Sequence, residues 1–213
     1  SFGVNIRLPF EERPNPVIKG NPRAINYKYF FNRKVAFLKE ADAVALFPGG
    51  FGTLDEAMEA LTLLQTGKRN PMPLVLVDEP GGSYWEHVIR FLEEELLTRN
   101  FICPSDFAII ERVSSALSAL ETIQRFYRRY HSMRYVRGRL VIRLTTPLRR
   151  EEVQRLAEQF QDILVAGGGI VSTGALEEER DDGDVIDLPR LAVDFNRRDF
   201  GRLRSLINAI NDL

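Results

Sequence analysis

The stretch Pro48-Gly49-Gly50-Phe51-Gly52-Thr53-Leu54-Asp55-Glu56 follows directly on an apolar run at residues 43–47 and opens a helical pattern. It therefore predicts a buried strand, a glycine-rich turn and the N-terminus of a helix. Three glycines in four positions leave backbone N–H groups uncovered where the positive end of the helix dipole points. Such a turn is suited to bind an anion, and a phosphate group is its natural occupant.

A purely structural interpretation of the same turn is a capped helix. Thr53 and Glu56 have the Thr-x-x-Glu spacing of a capping box, in which each side chain bonds the other's backbone amide. The acids favour a ligand instead. Asp55 and Glu56 are expected in the first helical turn, where a phosphate alone would be repelled. Two carboxylates beside this turn fit a ligand that also carries ribose hydroxyls or a sugar carbon that acquires positive charge.

The pattern Pro-Gly-Gly-x-Gly-Thr-x-x-Glu at residues 48–56, preceded by Arg33 and Lys34, resembles the LOG ("Lonely Guy") family of nucleotide phosphoribohydrolases, long labelled lysine decarboxylases. Arg33 lies 23 residues before Glu56, which is the offset of that family's arginine and glutamate. The resemblance covers about residues 1–125 and points to the larger bacterial form with an extra C-terminal domain.

The resemblance implies an enzyme that hydrolyses the N-glycosidic bond of a nucleoside 5′-monophosphate to free base and ribose 5-phosphate, with no metal or other cofactor. It implies Arg33 and Glu56 as catalytic residues. The substrate-binding residues that it implies are Lys34, Gly49, Gly50, Gly52, Thr53, Asp55 and Thr62. Asp55 stands where many relatives have glutamate, and this departure bears on the ribose contacts.

The resemblance also implies partners of the same chain. LOG-like enzymes are dimers or larger, so a homo-oligomer is expected. LOG-like proteins carry several strands and a further glycine-rich loop before the point that corresponds to residue 1. We therefore expect the chain to lack an N-terminal segment of the same protein.

Two other functions are alternatives to hydrolysis. A nucleotide-binding or cofactor-binding carrier of Rossmann-like fold needs the glycine turn, whereas glycosidic cleavage needs Arg33 and Glu56 as well, so these two residues separate the alternatives. Lysine decarboxylation is rejected, because the sequence has no recognisable lysine site for pyridoxal phosphate.

Apolar strand-like runs alternate with helical patterns over residues 1–131. Strands are predicted at 4–8, 43–47, 74–77 and 107–110, and helices at 26–40, 53–66, 84–98 and 114–130. This alternation is typical of the α/β class, with a Rossmann-like, doubly wound parallel sheet covered on both faces. Ligands of such sheets bind at the carboxyl ends of the strands, where the glycine turn falls.

Beyond residue 131 the pattern changes. Strands are predicted within 135–144, as a hairpin around Arg137 and Gly138, and at 169–178 and 191–195, with helices at 151–164 and 199–210. Short strands in this order predict a small α+β domain with an antiparallel sheet at residues 132–213. A regulatory role is one interpretation of this domain.

Composition excludes several kinds of partner and site. The 213 residues carry a net charge of −1, so neither nucleic acid nor an anionic membrane is expected as a partner. The single cysteine, Cys103, fits a reducing cytoplasm, and with two histidines a zinc site is not expected. No apolar run approaches a membrane span.

A charged segment allows two interpretations. Six arginines between residues 125 and 139 lie among aromatic residues, and they could bind the phosphates and bases of a regulatory nucleotide. The alternative is a solvated helix end whose arginines meet the acidic stretch at 177–187. Charge runs usually lie on solvated faces, which favours the second interpretation.

Overall fold

The computed structural model describes residues 2–7, 15–179 and 183–213, which form an α/β structure of nine strands and six α-helices. The chain divides into two compact units, Ser1–Asp42 and Ala43–Leu213. In the described part of the chain, no helix is both long and apolar enough to cross a membrane.

The first unit contains a pair of parallel strands and one helix. Strand β1 (Gly3–Ile6) pairs with β2 (Ala24–Tyr27), and helix α1 (Phe30–Glu40) follows. The strand predicted at 4–8 is confirmed over residues 4–6, Arg7 lies beyond the end of β1, and Leu8 lies outside the described residues. The helix predicted from Asn26 begins only at Phe30, because residues 24–27 are extended beside β1 and bond to its backbone.

The second unit begins with three parallel strands joined by helices. Strands β3, β4 and β5 lie side by side in chain order, with Leu46 opposite Leu76 and Leu76 opposite Arg112. The elements in order are β3 (Val44–Leu46), α2 (Phe51–Gln65), β4 (Leu74–Val77), α3 (Tyr84–Phe91), β5 (Ile110–Val113) and α4 (Ala116–Phe126). Strand β4 is buried along its whole length, as its continuous apolar sequence predicts. The parallel α/β arrangement is therefore confirmed here.

Three predicted boundaries in this region were wrong. The strand placed at 107–110 lies at Ile110–Val113, because Pro104–Ile109 winds into a 3₁₀ helix. The helix placed at 84–98 is α-helical only to Phe91 and continues as a π-helix over Leu92–Leu97. Helix α4 ends at Phe126 rather than Tyr130, and it begins after Ser115, whose hydroxyl oxygen accepts a hydrogen bond from the Ser118 amide.

The rest of the second unit is built on a four-stranded antiparallel sheet in the order β6-β7-β9-β8. Its elements are β6 (Tyr130–Val136), β7 (Arg139–Leu144), α5 (Arg150–Gln159), β8 (Ile170–Thr173), β9 (Arg190–Val193) and α6 (Phe200–Asn211). Helices α5 and α6 share one apolar core with this sheet. The predicted hairpin is confirmed, since Arg137 and Gly138 both have positive φ, as a tight two-residue turn requires.

The arginine-rich segment pairs with acids. Arg137 bonds Glu178 and Arg139 bonds Asp194, so at least one arginine meets the acidic stretch. Arg125 pairs with Glu111 of β5. The part of the acidic stretch at 180–182 lies outside the described residues. These ion pairs support the structural interpretation of the segment.

Helix α6 contacts both sheets of the second unit: it packs on the antiparallel sheet, and its Arg204 bonds Glu111 of β5. Arg204 is buried, donates to the carbonyl oxygen of Met72 at 2.8 Å and bonds the carboxylate of Glu111 at 2.9 Å. Burial lowers the pKa of this guanidinium, although the negative charge of Glu111 acts to raise it. The predicted boundary near residue 131 therefore falls inside one compact unit, and the division at that point stays a prediction.

Candidate active site

The glycine turn itself forms the start of helix α2. The helix begins at Phe51, and Gly50 is its N-cap residue in an extended conformation. The amides of Thr53 and Leu54 both donate to the Gly50 carbonyl oxygen, at 3.1 and 3.2 Å. No side chain caps this end. The capping-box interpretation is therefore wrong, because Thr53 already lies in the first turn of the helix.

The two acids of the motif lie farther along the helix than expected. The first turn contains no acidic residue, and Asp55 and Glu56 fall in the second turn. Asp55 is exposed and Glu56 is half-buried. Their greater distance from the helix terminus lessens the repulsion that they would exert on an anion bound there.

Two backbone amides of the turn, those of Phe51 and Gly52, are available to a ligand. Among the hydrogen bonds of the described residues, none uses the amide of Phe51 or Gly52. A β-carbon added to Gly50 or Gly52 would meet no atom within 4 Å. Helix α2 is 15 residues long, so its N-terminus carries the full effect of the helix dipole. Exposed amides at such a terminus are what anion binding requires.

Gly49 is held closely from two sides. A β-carbon at this position would lie 2.3 Å from the hydroxyl oxygen of Thr53, so the threonine hydroxyl packs against the glycine backbone. The hydroxyl of Tyr84, on helix α3, donates to the Gly49 carbonyl oxygen at 2.8 Å. The turn is therefore fixed by contacts from its own helix and from the next one.

A cleft of about 430 Å³ lies at the carboxyl ends of β3, β4 and β5. Its lining residues come from the end of β4, from the three loops that follow these strands and from the start of α4: Phe47, Pro48, Val77, Asp78, Glu79, Pro80, Ser114, Ser115 and Ala116. Phe47 and Pro48 lead directly into the glycine turn. This is the edge of a parallel sheet at which ligands bind.

Asp78 is a polar residue of this cleft that the sequence analysis missed. Its side chain is buried, and its two carboxylate oxygens accept from the Trp85 amide at 3.2 Å and from Arg112 Nε at 2.8 Å. An acid that directly follows a buried parallel strand was the available signal, since such positions lie at the ligand-binding edge.

The remaining predicted residues are not part of the turn. Arg33 and Lys34 belong to helix α1 of the first unit, where Arg33 Nε donates to the Val4 carbonyl oxygen at 3.2 Å. The Arg33 guanidinium lies over the Phe37 ring, 5.2 Å from its centroid. The structure thus brings Gly49, Gly50, Gly52 and Thr53 into one turn, with Asp55 and Glu56 on the same helix. The predicted arginine and lysine are in the other compact unit.

Thr62 lies farther along α2. Its hydroxyl donates to the carbonyl oxygen of Met58, one turn back, at 2.8 Å. It lines a second cavity of about 120 Å³, whose walls include Leu61, Leu92 and Leu96. This apolar cavity is different from the cleft at the strand ends. Within the described residues, no group of three or more histidine, cysteine or acidic side chains is placed to hold a metal ion.

Comparison with known proteins agrees with the motif. A family model described as "Possible lysine decarboxylase" matches residues 1–123. Probable cytokinin riboside 5′-monophosphate phosphoribohydrolase LOGL3 of Oryza sativa subsp. japonica is 31% identical over 95 residues, which are 44% of this chain and 43% of the rice protein. Cytokinin riboside 5′-monophosphate phosphoribohydrolase LOG7 of Arabidopsis thaliana is 30% identical over 95 residues, 44% of this chain and 42% of that protein. The match spans less than half the length of these relatives.

Proposed function

Because the chain belongs to the LOG family, we propose that it is a hydrolase that cleaves the N-glycosidic bond of a nucleoside 5′-monophosphate. Water adds to C1′ of the ribose, the bond from C1′ to the base nitrogen breaks, and the base leaves with a proton. The products are free base and ribose 5-phosphate. The observation that carries the proposal is the open glycine turn at the N-terminus of α2, beside the cleft at the strand ends.

The glycine turn holds the 5′-phosphate in this proposal. The amides of Phe51 and Gly52 point from the helix terminus, and Gly50 and Gly52 leave the space beside them open. The Thr53 hydroxyl, packed against Gly49, is a further donor. Gly49, Gly50, Gly52 and Thr53 are therefore assigned to phosphate binding, and Asp55 and Lys34 to the rest of the nucleotide.

Glu56 acts on the sugar. Breaking the glycosidic bond places positive charge on the ribose ring, and a carboxylate held against the ring stabilises that charge more in the transition state than in the ground state. The position of Glu56 in the second turn of α2 supports this role, because it separates the carboxylate from the phosphate at the helix terminus.

Arg33 orients the substrate or the leaving base. A guanidinium is too basic to pass protons readily near neutral pH, whereas its planar array of donors suits a phosphate or a base edge. The assignment of Thr62 to substrate binding rests on the family resemblance alone, since its hydroxyl donates within the helix and Thr62 lines the other cavity.

The finer description of the fold belongs to the same proposal. Residues 1–131 are assigned to a Rossmann-like, doubly wound domain and residues 132–213 to a small α+β domain with a regulatory role. The parallel order of β3, β4 and β5 supports the first assignment, and the separate antiparallel sheet supports the second. A cytoplasmic homo-oligomer, dimeric or larger, is the expected assembly.

The test is to incubate the intact protein with a panel of nucleoside 5′-monophosphates and to separate the products by chromatography. The proposal expects free base and ribose 5-phosphate in equal amounts from at least one nucleotide. Tight nucleotide binding with no release of base would instead indicate a carrier.

A further inference from the structure

The hydroxyl of Tyr84 reaches across from α3 to the glycine turn. It donates to the carbonyl oxygen of Gly49 at 2.8 Å. The peptide unit between Gly49 and Gly50 is planar, and its carbonyl and N–H point in opposite directions when the bond is trans. No peptide bond in the described residues is cis. By holding the carbonyl, Tyr84 therefore directs the Gly50 N–H away from itself, and the α-carbon of Gly50 faces open space.

The start of α3 is itself held by contacts with Asp78 and with strand β5. Buried Asp78 accepts from the amide of Trp85, the residue next to Tyr84, and from Arg112 of β5. Arg112 also donates to the Gly82 carbonyl oxygen at 2.9 Å, in the loop that leads to α3. The Trp85 ring is wholly buried and meets the Tyr84 ring edge to face, with centroids 4.9 Å apart. A series of contacts thus runs from the sheet to the tyrosine hydroxyl.

We propose that Tyr84 is a positioning residue that orients the Gly49–Gly50 peptide of the turn for phosphate binding. The inference rests on the proposed function in taking a nucleotide as the natural substrate. The effect of Tyr84 on phosphate binding can be tested without any hydrolysis. Tyr84 touches the turn and not the reacting atoms. Its effect is therefore on how tightly a 5′-phosphate is held, in the ground state and in the transition state alike.

The test compares the wild-type protein with Tyr84→Phe, which removes the hydroxyl and keeps the ring against Trp85. Ribose 5-phosphate binding is measured by calorimetry and AMP cleavage by steady-state kinetics. Loss of one neutral hydrogen bond should weaken ribose 5-phosphate binding roughly fivefold. Because this binding is uniform, KM for AMP should rise by about the same factor, with kcat within about twofold of wild type.

Tyr135→Phe is the matched control, since it removes a tyrosine hydroxyl on the antiparallel sheet, far along the chain from the turn. It should leave ribose 5-phosphate binding and KM unchanged. The melting temperature of each variant checks the fold. A folded Tyr84→Phe protein that binds ribose 5-phosphate as wild type does would overturn the inference, as would wild-type protein that binds no ribose 5-phosphate.

The two proposals fail in different ways. If wild-type protein cleaves no nucleotide but binds ribose 5-phosphate more tightly than Tyr84→Phe does, the proposed hydrolysis is contradicted and the role of Tyr84 stands. If AMP is cleaved with the same KM by both proteins, hydrolysis stands and the role of Tyr84 is contradicted.

Discussion

The hydroxyl oxygen of Thr53 lies 2.3 Å from the point where a β-carbon of Gly49 would stand, so Gly49 has no room for a side chain. Gly50, the next residue, has no atom within 4 Å of the corresponding point. The two neighbouring glycines therefore serve different purposes. Gly49 allows the threonine to pack into the turn, and Gly50 leaves space in front of the amides.

This difference predicts opposite outcomes for two alanine substitutions. Gly49→Ala must displace the Thr53 side chain and should cost about 1–3 kcal/mol in the free energy of unfolding. Gly50 has an ordinary φ of −85°, so Gly50→Ala should lower the free energy of unfolding by less than about 1 kcal/mol. Its methyl group should nonetheless raise KM for AMP severalfold, because it fills the space that the phosphate needs. Urea unfolding and steady-state kinetics measure the two effects. Equal stability losses would contradict this account of the turn.

Glu56→Gln tests the catalytic carboxylate. The amide keeps the shape of the side chain and loses the charge, so kcat should fall by about 100-fold or more while AMP binding changes little. Glu59→Gln makes the same change on the same helix and should keep near wild-type kcat. Turnover by Glu56→Gln at the rate of Glu59→Gln would remove Glu56 from the catalytic role.

Arg33→Ala tests the other residue of the pair. Loss of a charged donor that orients the substrate should lower kcat/KM for AMP by about 10-fold or more. Arg23→Ala is the control in the same unit, where the Arg23 guanidinium lies over the Phe2 ring at 5.6 Å from the centroid. If both variants lose activity equally, the loss comes from altered packing of the first unit, and a role of Arg33 in orienting the substrate is contradicted.

The strands next to the site could be predicted because their apolar runs are continuous. The runs predicted as strands at 43–47 and 74–77 contain β3 at Val44–Leu46 and β4 at Leu74–Val77. Strand β5 was placed too early, because its Glu111 and Arg112 do not fit an apolar pattern. Their charges are satisfied by Arg204 and Asp78, which lie 93 and 34 residues away. A local pattern of apolar and polar residues carries no information about partners so distant in the sequence.

The motif itself identified the turn and the family, and it failed on the start of the helix. The Thr-x-x-Glu spacing indicated a cap at Thr53, whereas the helix begins at Phe51. Gly50 supplies the extended conformation that a capping residue needs without offering a side chain. Tyr84 and Asp78 were missed for another reason, since their roles depend on contacts with residues distant in the sequence, Tyr84 with Gly49 and Asp78 with Arg112.

Glu179 forms a buried ion cluster with Arg143 and Arg190, and this cluster predicts how the stability of the protein depends on pH. Burial disfavours the charge of Glu179, but the Leu176 amide and the Arg143 guanidinium outweigh burial, so the pKa of this carboxyl lies below its ordinary value. A lowered folded-state pKa contributes stability above the ordinary pKa, and this contribution is lost as the pH falls through the lowered value. Glu179→Gln should therefore destabilise the protein by about 3 kcal/mol at pH 7. The difference from wild type should shrink as the pH falls from about 6 to about 3.

Urea unfolding across this pH range measures the difference. Glu158→Gln, on the exposed side of α5, is the control and should change the unfolding free energy little at any pH. A constant difference between wild type and Glu179→Gln from pH 6 to pH 3 would show that the charge of Glu179 is not the source of its stabilising effect.

In the proposed function, the glycine turn at the N-terminus of α2 holds the 5′-phosphate of a nucleotide whose glycosidic bond is then hydrolysed. The most direct measurement is the rate of adenine release by the intact protein from AMP and from adenosine at equal concentration. We expect adenine from AMP, at least about 100-fold less adenine from adenosine, and at least about 100-fold slower release from AMP with Glu56→Gln. Equal release from AMP and adenosine, or no release from any nucleoside monophosphate, would contradict it.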